Sequence, residues 1–322
     1  TGGVGAIHED EKFGPDYFLP TDAYLETCAA VGAVFFSQRM NQLTCNARYM
    51  DEVERVLYNN VLTGVSLSGD KYTYQNPLNT DKPDRWEWHV CPCCPPMFLK
   101  IMAAMPGYIY AYQGDNVYVN LFIGSEVRVP VGKSNSVRLK QLTSYPWHGA
   151  VSIQVNPDKA STFSMKVRIP GWAQGTENPY DLYQSNLKAP VKLKVNQEDV
   201  LLRIVDGYAE INREWKKGDH IELELPMQPR LITANKAVEN LRGQVALASG
   251  PIIYCFEDAD NPELQTFKLQ AQTPLELSHD SNLLNGVNII KCQGDIPAKA
   301  IPYYAVANRE ESHSYKVWIP QK

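Results

Sequence analysis

CPCCPPMFLKIMAAMPG (residues 91–107), followed at once by YIYAYQGDNVYVNLF (residues 108–122), is the stretch on which the fold turns. Its first half opens with three thiols in four positions and a double proline. Proline is favoured in a first helical turn, where its missing N–H costs nothing. A helix is therefore predicted from Pro95 or Pro96 through Met97–Met105, stopped by Pro106-Gly107. From Tyr108 the apolar period drops to two and stays there. Residues 108–112, a Gly-Asp-Asn turn and residues 117–122 read as a hairpin.

Downstream, strands are predicted at 135–143, 150–155, 163–169, 190–195, 200–204, 208–212 and 220–225, with short turns between them. That spacing indicates an antiparallel β-sandwich over residues 108–226. Residues 227–322 continue in the same style as a smaller β-rich domain, with Gly243–Leu247 and Pro251–Cys255 its clearest strands.

Upstream, residues 1–21 are rich in Gly, Pro and Asp and read as loop, with His8, Glu9, Asp10 and Glu11 in the middle. From Asp22 to about Met40 the pattern is helical, and Ala29–Phe36 is apolar all round, which predicts a helix buried on every side. A second helix is expected from about Asn46 to Asn60. Val53, Val56 and Leu57 form its apolar stripe, and Asp51, Glu52 and Arg55 its polar face. Val65–Pro77 alternates around a Ser-Gly-Asp turn and is expected to be a hairpin. Such apolar helices need cover, either from the β-domain or from helical partners outside this chain.

The 322 residues suffice for two or three domains, and 44% hydrophobic with 21% charged residues is ordinary for a globular protein. A formal charge of -5 leaves no basic footprint for nucleic acid. No apolar run reaches the length of a membrane span. The start, Thr1-Gly2-Gly3-Val4-Gly5, carries neither a secretory signal nor an initiator Met, so a processed chain or a piece of a longer one is expected, and the compartment is not legible there. Four of the seven cysteines fall in two short stretches, Cys28 in one and Cys91, Cys93 and Cys94 in the other. A disulfide framework would spread them more evenly; clustering favours metal or redox chemistry.

Beside a helix N-terminus, Cys93 and Cys94 face unpaired N–H groups and the positive end of the helix dipole, which favour thiolates. A buried vicinal pair, or a vicinal disulfide, is the bland alternative. Adding Glu26 and Cys28 supplies the carboxylate and soft sulfur donors that fill a tetrahedral zinc shell. Whether Cys91 and Cys93, or Cys93 and Cys94, form the second half of that shell is open at this level. Residues i and i+2 of a helix point about 200° apart. Glu26 and Cys28 can therefore share an ion only if Asp22–Thr27 is an irregular lead-in and the regular helix starts near Cys28. Otherwise Glu26 is an ordinary first-turn acid. A closed four-ligand site is normally structural, unless one ligand is itself the nucleophile; a proton donor is then needed, and Glu11 is the candidate.

These residues resemble glycoside hydrolase family 127, whose founding activity is β-L-arabinofuranosidase. The resemblance rests on Thr1–Gly5, Glu11-Lys12-Phe13-Gly14, Glu26-Thr27-Cys28-Ala29, Tyr74-Gln75-Asn76-Pro77 and Cys93-Cys94-Pro95-Pro96. It continues through Glu54–Asn59, Arg168–Ala173, Glu214–Asp219 and Gly250–Tyr254, so it spans nearly the whole chain. It implies that residues 1–107 are the C-terminal part of an (α/α)6 barrel, about three helices, lacking the earlier ones. It implies a Zn2+ ion held by Glu26, Cys28, Cys93 and Cys94, with Cys91 near the metal but not a ligand. In the same way it implies Cys93 as nucleophile, Glu11 as general acid/base, and Glu54 and Tyr74 lining the sugar pocket; apart from the resemblance, Glu54 reads as a solvated surface charge. Met97 departs from the Asn that the family often has after the double proline. The implied reaction is retaining hydrolysis that releases β-L-arabinofuranose, or a related pentose, from plant-type glycans. The implied partners are an oligosaccharide substrate and either the N-terminal remainder of the barrel or a homodimer partner; the implied setting is the bacterial periplasm or cytoplasm. Two other readings compete: a non-catalytic carbohydrate-binding β-sandwich with a structural zinc site, and a thiol–disulfide redox protein using Cys91, Cys93 and Cys94.

Overall fold

A computed structural model describes residues 1–294 and 296–322, without the side chain of residue 10. Its described α-helices are α1 (Thr27–Thr44), α2 (Arg48–Val56) and α3 (Cys94–Ala104). The described residues after Tyr108 are built from strands, turns and short 3-10 segments. No described helix is long and apolar enough to cross a membrane.

The period change at Tyr108 marks where the helices stop. Pro95 and Pro96 occupy the first turn of α3, and a 3-10 turn over Met105–Tyr108 ends it. The chain then forms the antiparallel pair Tyr110–Gln113 and Asn116–Val119. These strands edge a five-stranded sheet with Ser161–Arg168, Tyr208–Trp215 and Ile204–Val205. The facing six-stranded sheet holds Ser125–Val131, Asn135–Thr143, Ala150–Pro157, Asp219–Glu224, Lys192–Val195 and Glu198–Asp199. Alternate residues of both sheets, including Val137, Leu139, Ile153, Val155, Met165, Val167, Ile221 and Leu223, meet in one core. Residues 200–203 are irregular, so the strand expected over 200–204 contracts to Ile204–Val205. The sheet that follows contains Arg230–Ala234, Gln244–Ser249, Ile252–Glu257, Ala298–Pro302, Val287–Cys292 and Leu275–Asp280 in spatial order. It also recruits Tyr183–Ser185 from earlier in the chain.

Two expectations about the helical segment are corrected. Helix α1 is not buried all round: Ala30, Val31, Val34, Ser37, Gln38 and Asn41 face inward, whereas Phe36 is 64% and Leu43 79% exposed. The run of alanines and glycine lets one side pack closely and leaves the other open. Helix α2 does not continue to Asn60 as an α-helix, because Leu57–Val61 forms a π-turn. That turn swings Asn59 into the third sheet, where its side chain donates to the Pro251 carbonyl (2.9 Å) and accepts from the Ile253 N–H (2.8 Å). The Ser-Gly-Asp turn closes through Gly69 N–H on the Ser66 carbonyl, but the ladder beyond it is a single bridge between Val65 and Tyr72. Lys71–Tyr72 pairs instead with Trp86–Glu87, which turns the chain back toward the thiol cluster.

Candidate active site

The stretch before α1 is extended. Glu26 has φ -64° and ψ 139° and bridges antiparallel to Gln75. Thr27 N–H donates to the Tyr74 carbonyl (3.0 Å), Asn76 N–H donates to the Tyr24 carbonyl (3.2 Å), and the Thr27 hydroxyl donates to the Thr73 carbonyl (2.6 Å). Leu25 adopts a left-handed φ of 44°, steadied by its N–H on the Gly5 carbonyl. Gly3 is required beside it, since a Cβ there would lie 2.9 Å from both the Leu25 and Asn60 side chains. Glu26 is thus presented from a single extended residue and Cys28 from the first turn of a helix, so two residues two apart point at one place. This is the geometry that the spacing alone demanded.

Helix α3 supplies the other half. Val31 of α1 and Ile101 of α3 share one apolar cluster, which brings the two helix starts together. Cys28 Sγ lies 3.4 Å from Cys94 Sγ, and Cys93 Sγ 3.6 Å from Cys94 Sγ. Glu26, Cys28, Cys93 and Cys94 each place a ligand atom within 4.8 Å of the others. A tetrahedral metal with metal–sulfur bonds of about 2.3 Å needs sulfurs about 3.8 Å apart, so the group has the spacing and the donor types to hold such an ion. Cys91 is a fourth thiol, with Sγ 3.0 Å from Cys93, and stands outside that quartet.

Electrostatically the quartet is uncompensated. Burial, then the neighbouring Glu11 charge, pushes the Glu26 carboxyl above its usual range. The Cys28 thiol is raised by its hydrogen bond to Cys94 and by burial. Cys93 is pushed up to about 12, by burial first and then by the Cys91 and Cys28 thiols. Cys91 moves the other way, because the Cys93 N–H and thiol outweigh its burial. Their surroundings favour the neutral thiol at Cys28 and Cys93; a divalent ion and two converging helix N-termini are what would favour the thiolates.

Glu11 lies beside this cluster. Its Oε1 accepts from the Tyr24 hydroxyl (2.8 Å) and the Tyr74 hydroxyl (3.2 Å). No hydrogen bond to Oε2 occurs among those of the described residues, so that oxygen is open to another molecule. The Tyr74 hydroxyl is driven upward by its bond to Tyr24, by burial and by the neighbouring Glu26 and Cys93 groups. Its ring stacks on Trp86, with centroids 5.3 Å apart and planes at 22°.

Glu54 is not brought here. It is 1% exposed, ion-paired with Arg168, and hydrogen-bonded by the Tyr145 hydroxyl (2.7 Å) and Trp172 Nε1 (3.2 Å). A carboxylate so enclosed has no lone pair to offer a sugar; it fastens α2 to the β-sandwich. Sequence reading also missed Tyr24 and Trp86. Tyr24 was out of reach of a two-residue alternation, because left-handed Leu25 stands between it and Glu26.

Comparison with known proteins agrees with this architecture. The profile of the β-L-arabinofuranosidase GH127 catalytic domain matches residues 1–107, the GH127 middle domain residues 116–227, and the family 127 C-terminal domain residues 229–320. A non-reducing end β-L-arabinofuranosidase of Bifidobacterium longum subsp. longum is 31% identical over 361 residues, covering 96% of this chain and 51% of the relative. A solved GH127 β-arabinofuranosidase superposes with a TM-score of 0.93 at 37% identity, covering all of this chain and 53% of that one. The Geobacillus stearothermophilus T6 GH127 β-L-arabinofuranosidase gives 0.91 at 35%, covering 100% and 54%. The chain therefore spans about half the length of the relatives it matches.

Proposed function

Because the chain belongs to glycoside hydrolase family 127, we propose that it serves retaining hydrolysis of β-L-arabinofuranosides, with a zinc-held thiolate as nucleophile. The observation that carries the reading is the convergence of Glu26, Cys28, Cys93 and Cys94 beside a hydrogen-bonded carboxylate, Glu11. These four residues would hold the ion. When bound, zinc supplies the positive charge that keeps sulfur deprotonated despite its burial.

The Cys93 sulfur attacks the anomeric carbon, and the bond from that carbon to the leaving oxygen breaks. Glu11 gives its proton to that oxygen from Oε2, while Tyr24 and Tyr74 fix Oε1. Glu11 then takes a proton from water, which attacks the same carbon and expels the Cys93 sulfur. Two inversions give net retention, with the thiolate in the place of the second carboxylate of ordinary retaining glycosidases. Glu11 has a left-handed φ of 53°, a strained backbone of the kind that clusters where a side chain must be aimed.

The test is incubation of the zinc-loaded protein with a nitrophenyl β-L-arabinofuranoside, with the anomer of the first product followed by NMR. Retention is expected, with activity lost in Cys93→Ala and lowered by about 10²–10⁴-fold in Glu11→Gln. An inverted first product, or an unchanged rate in Cys93→Ala, overturns the proposal. In parallel, a haloacetyl arabinofuranosyl reagent should alkylate Cys93 selectively; equal labelling of all accessible thiols would favour a structural metal site.

A further inference from the structure

The thiol corner holds Cys28, Cys91, Cys93 and Cys94, and the site described above leaves Cys91 without a task. Its sulfur lies 3.0 Å from that of Cys93. Two sulfurs on one tetrahedral ion, with bonds of about 2.3 Å, stand about 3.8 Å apart. As placed, Cys91 and Cys93 are therefore too close to fill two corners of such a shell and belong to one. Pro92 between them locks the backbone that sets this spacing. Cys91 is half-buried and precedes the first turn of α3, so its side chain can turn without disturbing a helix. Tyr72 backs it. That ring is fully buried and packs edge-on against Trp86 (centroids 5.9 Å apart) and Trp88 (6.5 Å), in the segment leading to Cys91. The Tyr72 hydroxyl neighbours Cys91 and has no hydrogen-bond partner among the described residues. A buried donor left unpaired is costly.

We infer that Cys91 is a replacement ligand, which takes the place of Cys93 on the metal while the Cys93 sulfur is bonded to carbon. The inference rests on the zinc-thiolate reading above and deepens it. In that reading the Cys93 sulfur bonds to the anomeric carbon as the bond to the leaving oxygen breaks, and Glu11 supplies that oxygen's proton. A sulfur bonded to two carbons is no longer a thiolate, and the thiolate is the form that binds metal. Glu26, Cys28 and Cys94 alone would then hold the ion, where a closed zinc shell has four ligands. Cys91 completes the shell by a turn of one side chain, with α1 and α3 unmoved. When water frees Cys93, its sulfur rejoins the ion and Cys91 turns back to the Tyr72 hydroxyl. The exchange moves no proton, because the Cys91 sulfur accepts from Tyr72 in one place and ligates in the other. A disulfide between Cys91 and Cys93 would be a different use of the pair, and it needs an oxidant that hydrolysis does not supply.

The test is zinc affinity in wild type, Cys91→Ala, Cys93→Ala and Cys91→Ala/Cys93→Ala, by competition with a chromophoric chelator under a phosphine reductant. Losing even an outer partner of a metal ligand costs about 10–100-fold in affinity, so losing a ligand that nothing replaces should cost about 100-fold or more. Each single variant should therefore stay within about tenfold of wild type, while the double variant loses about 100-fold or more. Equal affinities in Cys93→Ala and the double variant overturn the inference. So does a loss in Cys91→Ala as large as the double variant's, which would make Cys91 a resident ligand. A second readout does not depend on tightness. With Co2+ in place of zinc, the thiolate-to-metal absorption should keep its wild-type intensity in Cys93→Ala and lose about a third in the double variant, as three sulfur ligands become two. A loss of about a third already in Cys93→Ala overturns the inference. Third, a haloacetyl arabinofuranosyl reagent, whose halide the Cys93 sulfur displaces, should leave zinc in wild type and release it from Cys91→Ala; the same outcome in both proteins overturns it. Zinc held by wild type with no rescue by Cys91 sinks this inference alone, whereas a wild type that holds no zinc sinks the metal reading and this inference with it.

Discussion

At the start of α1 a carboxyl group and three thiols converge, and each group with a resolved shift is pushed toward its protonated form. On α2, two other acids, Asp51 and Glu54, close on Arg168 instead, which is fully buried and held charged against its desolvation by both of them. The two places have similar raw material. Both gather ionisable groups taken largely out of water, and both tie together segments far apart in the chain. They differ in where the balancing charge comes from. The Arg168 node carries its own cation and has further donors from Tyr145 and Trp172, so nothing is left over for a ligand. The thiol corner lacks that supply and is therefore the place where an ion from solution can act. Buried acids met by a fixed cation and fixed donors mark assembly, whereas buried acids and thiols without a cation mark a place for a ligand.

Substitutions should separate the two. The largest effect is expected at Cys93: Cys93→Ala should abolish turnover while thermal unfolding of the metal-free protein stays close to wild type. A variant that loses its fold along with its activity would erase the distinction. Next, Arg168→Met should cost about 3–5 kcal/mol in urea unfolding, because Glu54 is left buried without its cation. Arg168→Met/Glu54→Leu should recover part of that loss, and an additive further loss would show that the pair is not coupled. A smaller effect is expected at the seam between α2 and the third sheet. Asn59→Ala removes bonds to the Pro251 carbonyl and Ile253 N–H and should cost about 1–3 kcal/mol with zinc content unchanged, measured by denaturation and metal analysis.

The mildest test uses pH. Burial pushes the Glu177 carboxyl up, but the ion pair with Arg230 outweighs it and holds the group below its usual range. A depressed carboxyl contributes stability that is present above its unfolded value, about 4.3, and is lost as pH falls through the lower folded value. The stability gap between wild type and Glu177→Gln should therefore be full near neutrality and shrink below about pH 4. A gap constant from neutral to strongly acid pH would mean that the charge on Glu177 contributes nothing. Metal affinity should decline over a higher range, since three thiols must lose protons to bind; calorimetry with zinc at several pH values would show it.

Much of the site was legible because it is local. Pro95 and Pro96 announce a helix start, so residue type and spacing alone put the neighbouring thiols at an N-terminus. The spacing of Glu26 and Cys28 is impossible for shared ligation within one helix, and this alone requires the extended lead-in that Gln75 and Tyr74 pair with. Glu54 shows the opposite case. It lies on a helix whose polar face looks solvated, and only Arg168, Tyr145 and Trp172, all more than 90 residues away, reveal that it is enclosed. The face of α1 was misjudged for a related reason: composition reports how apolar a helix is, whereas neighbours decide which side they cover.

By itself the sequence determined the order of elements, the helix-to-strand change at Tyr108 and the identity of the metal-capable side chains, because these depend on period, proline and residue type within a few positions. Tertiary structure alone decided that Cys28 meets Cys94, that Tyr24 and Tyr74 both hold Glu11, and that Glu54 is enclosed by the sandwich. Those outcomes depend on which distant groups share a small dry volume, and there Coulomb forces and desolvation act on neighbours in space, whatever their separation along the chain.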